Sequence, residues 1–168
     1  LERKPAPNDD PVGALRERLT KLSPAEVLEF HRELHSQLAN SYTWGLWGAA
    51  YIVNGGCSDD CFEYFRAWLV MQGRRTFESV VRNPDSVADY AHVGRPAELE
   101  EVLSVAREVY AGMTGKQPDA QVRYPNLGDR WDFDDASLMK HEIPEALRQM
   151  SMLAIDGCAL ATHSCGMP

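Results

Sequence analysis

Asp59, Asp60 and Arg66 are the residues of this chain that come nearest to an acid–base set. Asp60 and Glu63 stand about one helical turn apart, and a guanidinium at Arg66 could grip an anion through two parallel hydrogen bonds. The same spacing serves a plainer purpose. Carboxylates directly after a serine N-cap at Ser58 complement a helix dipole by a few tenths to about 1 kcal/mol, and an arginine between Phe65 and Trp68 can pair with them. Capping is therefore preferred to catalysis; the three stand as a candidate anion site, and no catalytic residue is assigned. His31 and His35, at i and i+4, could offer two positions to a metal, but the stretch reads His31-Arg32-Glu33-Leu34-His35, lacks the H-E-x-x-H order that activates water, and shows no third ligand. Cys57 and Cys61 straddle a helix start, where the positive end of the dipole could lower the Cys57 pKa while Asp59 and Asp60 oppose it. With no second pair they make a poor zinc site and read as buried thiols used as small apolar residues. Trp44, Trp47, Tyr51, Phe62, Phe65 and Trp68 could line a ligand pocket. Their spacing on two adjoining helices fits a core better, with Trp44, Trp47, Phe62, Phe65 and Trp68 at its centre. No metal and no cofactor are expected.

The last segment differs from all of these. Residues 155–168 read IDGCALATHSCGMP, with a single charged side chain and no helical period after Gly157. Three readings stay open. The segment is a plain terminus or closes a small Cys158–Cys165 disulfide loop; or Cys158, His163, Cys165 and Met167 capture a soft metal; or the tail is itself a substrate. In the last case it resembles the core of a ribosomally made, post-translationally modified peptide. Lanthipeptide cores are similar in pairing a dehydratable Thr or Ser with a downstream Cys, and Thr162 lies three residues before Cys165. The modified positions would be Cys165 with Thr162 or Ser164, and then Cys158. The final Cys165-Gly166-Met167-Pro168 lacks the aliphatic middle of a prenylation box.

The elements that must position these residues are helical. A chain of 168 residues, 44% hydrophobic and 25% charged, suits one domain with a sizeable core. Seventeen basic against twenty-five acidic side chains give a net charge of −8, which repels nucleic acid and anionic membranes. The longest apolar run, residues 44–53, is half the length of a membrane span. No charged start followed by an apolar stretch opens the chain, so a cytoplasmic protein is expected, and Leu1 in place of Met points to a beginning inside a longer chain. Residues 1–10 read as a flexible lead-in. Asp10-Pro11 starts a helix reaching Leu22, and Ser23-Pro24-Ala25-Glu26 is a capping box for a second. Residues 42–53 form a closely packed helix stopped by Asn54-Gly55-Gly56, and Ser58 caps the next, which ends near Gly73. Turns around Phe77 and Val80 precede a short helix capped by Asp85 or Ser86. Pro96 opens a segment with Leu99, Val102, Leu103, Ala106, Val109, Tyr110 and Met113 on one face. Residues 112–131 form a surface connection, and Asp134, Asp135 and Pro144 start the last helices. Strand-like alternation is nearly absent. The prediction is an all-α, compact bundle of six to eight helices: a single domain over residues 11–154, with the tail at 155–168.

Residues 43–74, TWGLWGAAYIVNGGCSDDCFEYFRAWLVMQGR, carry the patterns L-W-G-A-A-Y and G-G-x-S-D-D-x-F-x-Y-F-R-x-W-L followed by Q-G. In these the chain resembles the bacterial domain-of-unknown-function family 4240, which also occurs appended to WGR-type regulatory modules. Asn83-Pro84-Asp85-Ser86 and Ile143-Pro144 are similar too, so the likeness extends over residues 11–154. It implies a compact helical domain and brings no activity, cofactor or catalytic set. Cys61 within the signature helix and the thiol-bearing tail depart from that pattern. Together these features suggest a non-catalytic binding and recognition module. Its body would act as a leader presenting the tail to a protein partner, a modifying enzyme, as in a lanthipeptide-like precursor. The alternatives are a small enzyme or anion-binding protein using Asp59, Asp60 and Arg66, or a thiol or soft-metal protein acting through its tail. Oligomeric state is not fixed by the sequence. Arg66 discriminates: an enzyme should turn it towards an open cleft, a module should bury it in structural contacts.

Overall fold

Asp10 opens the first helix through its carboxylate, which accepts from the Gly13 amide at 2.8 Å, while Pro11 occupies a position whose N–H would have no helical partner. In a computed structural model that describes residues 10–92, 95–119 and 123–129, this helix, α1, spans Pro11–Leu19. It stops short of Leu22 because Ser23, preceding a proline, is held extended at φ −72°, ψ 157°. Helix α2, Pro24–Asn40, carries both halves of the capping box and buries Val27, His31, Leu34 and Leu38 at helical spacing. Helix α3, Trp44–Asn54, ends on Gly55 at φ +71°, a left-handed conformation that a side chain would disfavour. Helix α4, Asp59–Met71, starts where Ser58 Oγ accepts from the Cys61 amide at 3.2 Å, with Asp59 and Asp60 in its first turn. Helix α5 is Arg74–Arg82, a 3-10 helix runs Pro84–Asp89, and α6 is Val102–Thr114.

Two further boundaries differ from the sequence reading. The 3-10 helix follows Asn83 directly and begins on Pro84; Ser86 lies within it, and its hydroxyl donates back to the Asn83 carbonyl at 2.8 Å. The segment opening at Pro96 is not helical until Val102. Its amides are claimed by earlier elements, Ala97 N–H donating to Asn54 Oδ1 at 2.9 Å and Leu99 N–H to the Tyr64 carbonyl at 3.1 Å. The buried stripe of α6 is accordingly Val102, Val105, Ala106 and Val109, and Met113 is exposed.

Helix α6 lies against α1, α2 and α4; α4 also packs on α2, α3 and α5, and α3 on the 3-10 helix. The largest apolar cluster joins Leu46, Trp47, Phe62, Phe65, Leu69 and Val80. Trp44 and Trp68 pack against its edge only half-buried, so the centre holds one of the three tryptophans assigned to it. Among the described residues there is no strand, and the fold is all-α. No helix among them is long and apolar enough to cross a membrane. The helices read at Asp134, Asp135 and Pro144, the lead-in and the tail lie outside the described residues.

Candidate functional site

Arg66 falls on the buried face of α4, between Phe62 and Leu69, and is 2% exposed. A buried guanidinium needs acceptors, and the fold supplies main-chain ones. Nη1 donates to the Leu38 carbonyl at 2.6 Å and Nε to the Phe62 carbonyl at 3.2 Å. Leu38 lies in the last turn of α2, where carbonyls lack helical partners and the dipole is negative, so a cation there is doubly favoured. The guanidinium carbon lies 4.7 Å from the ring centre of Phe62 and 5.0 Å from those of Tyr42 and Tyr124. Asp59 and Asp60 are exposed, and among the described residues no ion pair joins either to Arg66. The structure therefore does not assemble these three into an anion-binding group: the arginine is held inside by α2 and the rings, and the acids stay at the helix start.

Tyr42, between α2 and α3, is the hub of the aromatic packing, its ring centre 5.6 Å from Phe62, 5.9 Å from Trp47 and 4.9 Å from Tyr124. Residues 123–129 cross this corner as a strap, fixed by the Trp44 indole N–H donating to the Leu127 carbonyl at 2.9 Å. Tyr42, Trp44, Trp47 and Asp59 face residues 125–128 across a cleft of about 270 Å³. Of the six aromatics, Trp47, Phe62 and Phe65 are buried in the core and Trp44, Tyr51 and Trp68 are half-buried, while Trp44, Trp47 and Asp59 border the cleft. Tyr42 and the strap were not singled out from sequence; a tyrosine before Pro125 in a polar connection was the one available signal.

Behind the cleft, the Gly55-Gly56 turn sets Cys57 just before the Ser58 cap and Cys61 in the first turn of α4. Both thiols are half-buried and neighbour one another, Cys57 Sγ donating to the Ser58 carbonyl at 3.6 Å and Cys61 Sγ lying 3.7 Å from the Gly56 carbonyl. Cys61 Sγ also accepts from Asn54 Nδ2 at 3.5 Å and contacts Glu98 Oε1 as donor at 3.2 Å. The neighbouring Cys61, burial and Glu98 all push the Cys57 thiol up. The neighbouring Cys57 and the Asn54 amide pull Cys61 down against burial and Glu98. The sequence reading weighed the helix dipole at Cys57; the amide donor in the structure, Asn54 Nδ2, faces Cys61.

His31 and His35 meet edge to face, ring centres 4.4 Å apart, and the Nδ1 atom of each is buried without a hydrogen-bond partner. Burial, then His35, Arg107 and Arg32, bring His31 down to about 4, and burial lowers His35 against the pull of Glu63. Among the described residues no group of three His, Cys, Asp or Glu side chains could hold a metal ion. Thr162, Ser164, Cys165 and Cys158 lie outside the described residues. Residues 2–112 match the family described as "Protein of unknown function (DUF4240)". No curated protein and no solved structure matches the chain.

Proposed function

The chain belongs to the DUF4240 family, and on that premise we propose that its helical body is a non-catalytic recognition module that presents residues 155–168 to a protein partner in the cytoplasm. The partner is a modifying enzyme that joins Cys165 to Thr162 or Ser164 through a thioether, with Cys158 as a further position. The internal use of Arg66 carries this reading. Arg66, the cation of the signature helix α4, is 2% exposed and already bonded to the Leu38 and Phe62 carbonyls, which leaves Asp59 and Asp60 as exposed residues of the first turn of α4. A binding body with a separate cargo also suits the family match, which covers residues 2–112 and not the thiol-bearing tail. A tethered tail would reach the partner's catalytic centre at high effective concentration.

Peptide mass spectrometry of the protein from its native producer tests this. Cleavage after Arg148 releases residues 149–168, which should be lighter than their sequence by one water for each thioether, with Cys165 closed to alkylation after reduction. An unaltered mass with both tail cysteines alkylated overturns the reading. So does a loss of two hydrogens that reduction restores, which would make the tail a disulfide loop.

A further inference from the structure

Cys57 and Cys61 are not needed for the recognition role, yet their surroundings are more elaborate than a pair of small apolar residues requires. The two thiols come from different local structures, the turn before a helix and its first full turn, and lie beside one another after the turn made by Gly55 and Gly56 at positive φ. An amide donor, Asn54 Nδ2, faces Cys61 Sγ from one side and a carboxylate, Glu98 Oε1, from another. Asn54 spends its other end on the Ala97 amide at 2.9 Å, so its side chain is fixed against the thiol by a contact with a distant segment. A proton acceptor, a donor able to hold negative charge on one sulfur, and a second thiol in contact are the parts that thiol–disulfide exchange needs.

We propose that Cys57 and Cys61 form a thiol–disulfide exchange site that reacts with low-molecular-weight disulfides, Cys61 being the attacking sulfur and Cys57 the resolving one. Cys61 passes its proton to the Glu98 carboxylate, and its thiolate attacks one sulfur of the disulfide RSSR. A Cys61–SR bond forms, the S–S bond of RSSR breaks, and RS⁻ departs with the electron pair and takes up the proton from Glu98. Cys57 then gives its proton to the same carboxylate and attacks Cys61 Sγ, forming the Cys57–Cys61 bond and expelling a second RS⁻, which is protonated in turn. Two cysteine thiols are oxidised, one RSSR is reduced to two RSH, and no other reactant is required. The direction of attack follows from the geometry: Cys61 Sγ accepts from the Asn54 amide, which stabilises a thiolate there, while the Cys57 thiol is a donor, to the Ser58 carbonyl. The positive end of α4 acts in the same sense on Cys61.

The test uses the full chain, reduced and then exposed to oxidised glutathione at neutral pH, quenched in acid and alkylated. Trypsin releases residues 33–66, which contain both thiols, apart from the tail cysteines, so a failure here is distinguishable from a failure of the tail reading. The expected product is residues 33–66 lighter by two hydrogens and unalkylated, formed faster in the folded chain than in urea. Cys57→Ser should trap one glutathione on Cys61, and Cys61→Ser should leave Cys57 free of adduct. Circular dichroism shows that each variant is folded. Double alkylation of the wild-type peptide overturns the proposal, as does an equal rate in urea, a folded Cys57→Ser chain without adduct, or glutathione on Cys57 in the folded Cys61→Ser chain.

Discussion

Acidification should unfold this protein through His31, and the size of the effect can be worked from its surroundings. The imidazole is 4% exposed, its Nδ1 has no partner, and its charged form is opposed by burial, by His35 and by Arg107 and Arg32. Its folded pKa is therefore depressed to about 4 from an ordinary 6.5. Between those values the unfolded chain binds a proton that the folded chain refuses, so stability is full above pH 6.5 and falls as the pH drops towards 4. At pH 4 the unfolded imidazole is almost wholly protonated and the folded one half so, a difference of about 3 kcal/mol. His35, shifted in the same direction, adds to the loss. The assay is urea unfolding followed by tryptophan fluorescence at pH 7, 6, 5 and 4, on the wild type and on His31→Leu, a replacement of similar volume. The acidic groups titrate in both proteins and cancel in the comparison. The variant should therefore lose about 3 kcal/mol less than the wild type between pH 7 and pH 4. Parallel pH profiles for the two proteins would refute the reasoning.

Arg66→Lys should cost about 2–3 kcal/mol in urea unfolding, because an ammonium cannot serve both carbonyls while lying flat between the rings; an unchanged midpoint would contradict the buried geometry. Phe62→Ala, at a wholly buried position, should cost about 3–5 kcal/mol, and Trp68→Ala should cost less despite removing a larger side chain, since Trp68 is only half-buried. Tyr124→Ala should cost about 1–2 kcal/mol by uncovering one face of the Arg66 guanidinium, as measured by thermal unfolding. Deleting residues 156–168 should leave stability within about 0.5 kcal/mol, and unfolding of that truncated chain would make the tail part of the architecture.

What the sequence disclosed was local chemistry. Asp10, Ser23 and Ser58 each accept from an amide three residues ahead, so the atoms that start these helices lie within one turn of the residues that announce them. Gly55 likewise stops α3 through its own backbone angle. The start of α6 was not legible, because the amides of Ala97 and Leu99 are taken by Asn54 and Tyr64, 43 residues away in the first case. The thiol pair was not legible for a different reason: its polarity is set by the Asn54 side chain facing Cys61, whose orientation is fixed by the distant Ala97 amide. Arg66 was legible as a residue worth explaining but not as a buried one. Its acceptor at Leu38 is 28 residues earlier and its ring contact at Tyr124 belongs to a connection without periodicity.

These long-range contacts give Arg66 a role that its place in the signature did not reveal. An arginine on a buried helix face is costly unless every approach to it is filled by acceptors or rings. Here the acceptors come from α2 and α4 and the rings from Tyr42, Phe62 and Tyr124, so one guanidinium ties together two helices and the strap. The strap follows residue 112, where the family match ends, yet Tyr124 completes the cover over Arg66 and the Leu127 carbonyl holds the Trp44 indole. The packed unit therefore extends past the matched residues at least to Leu127.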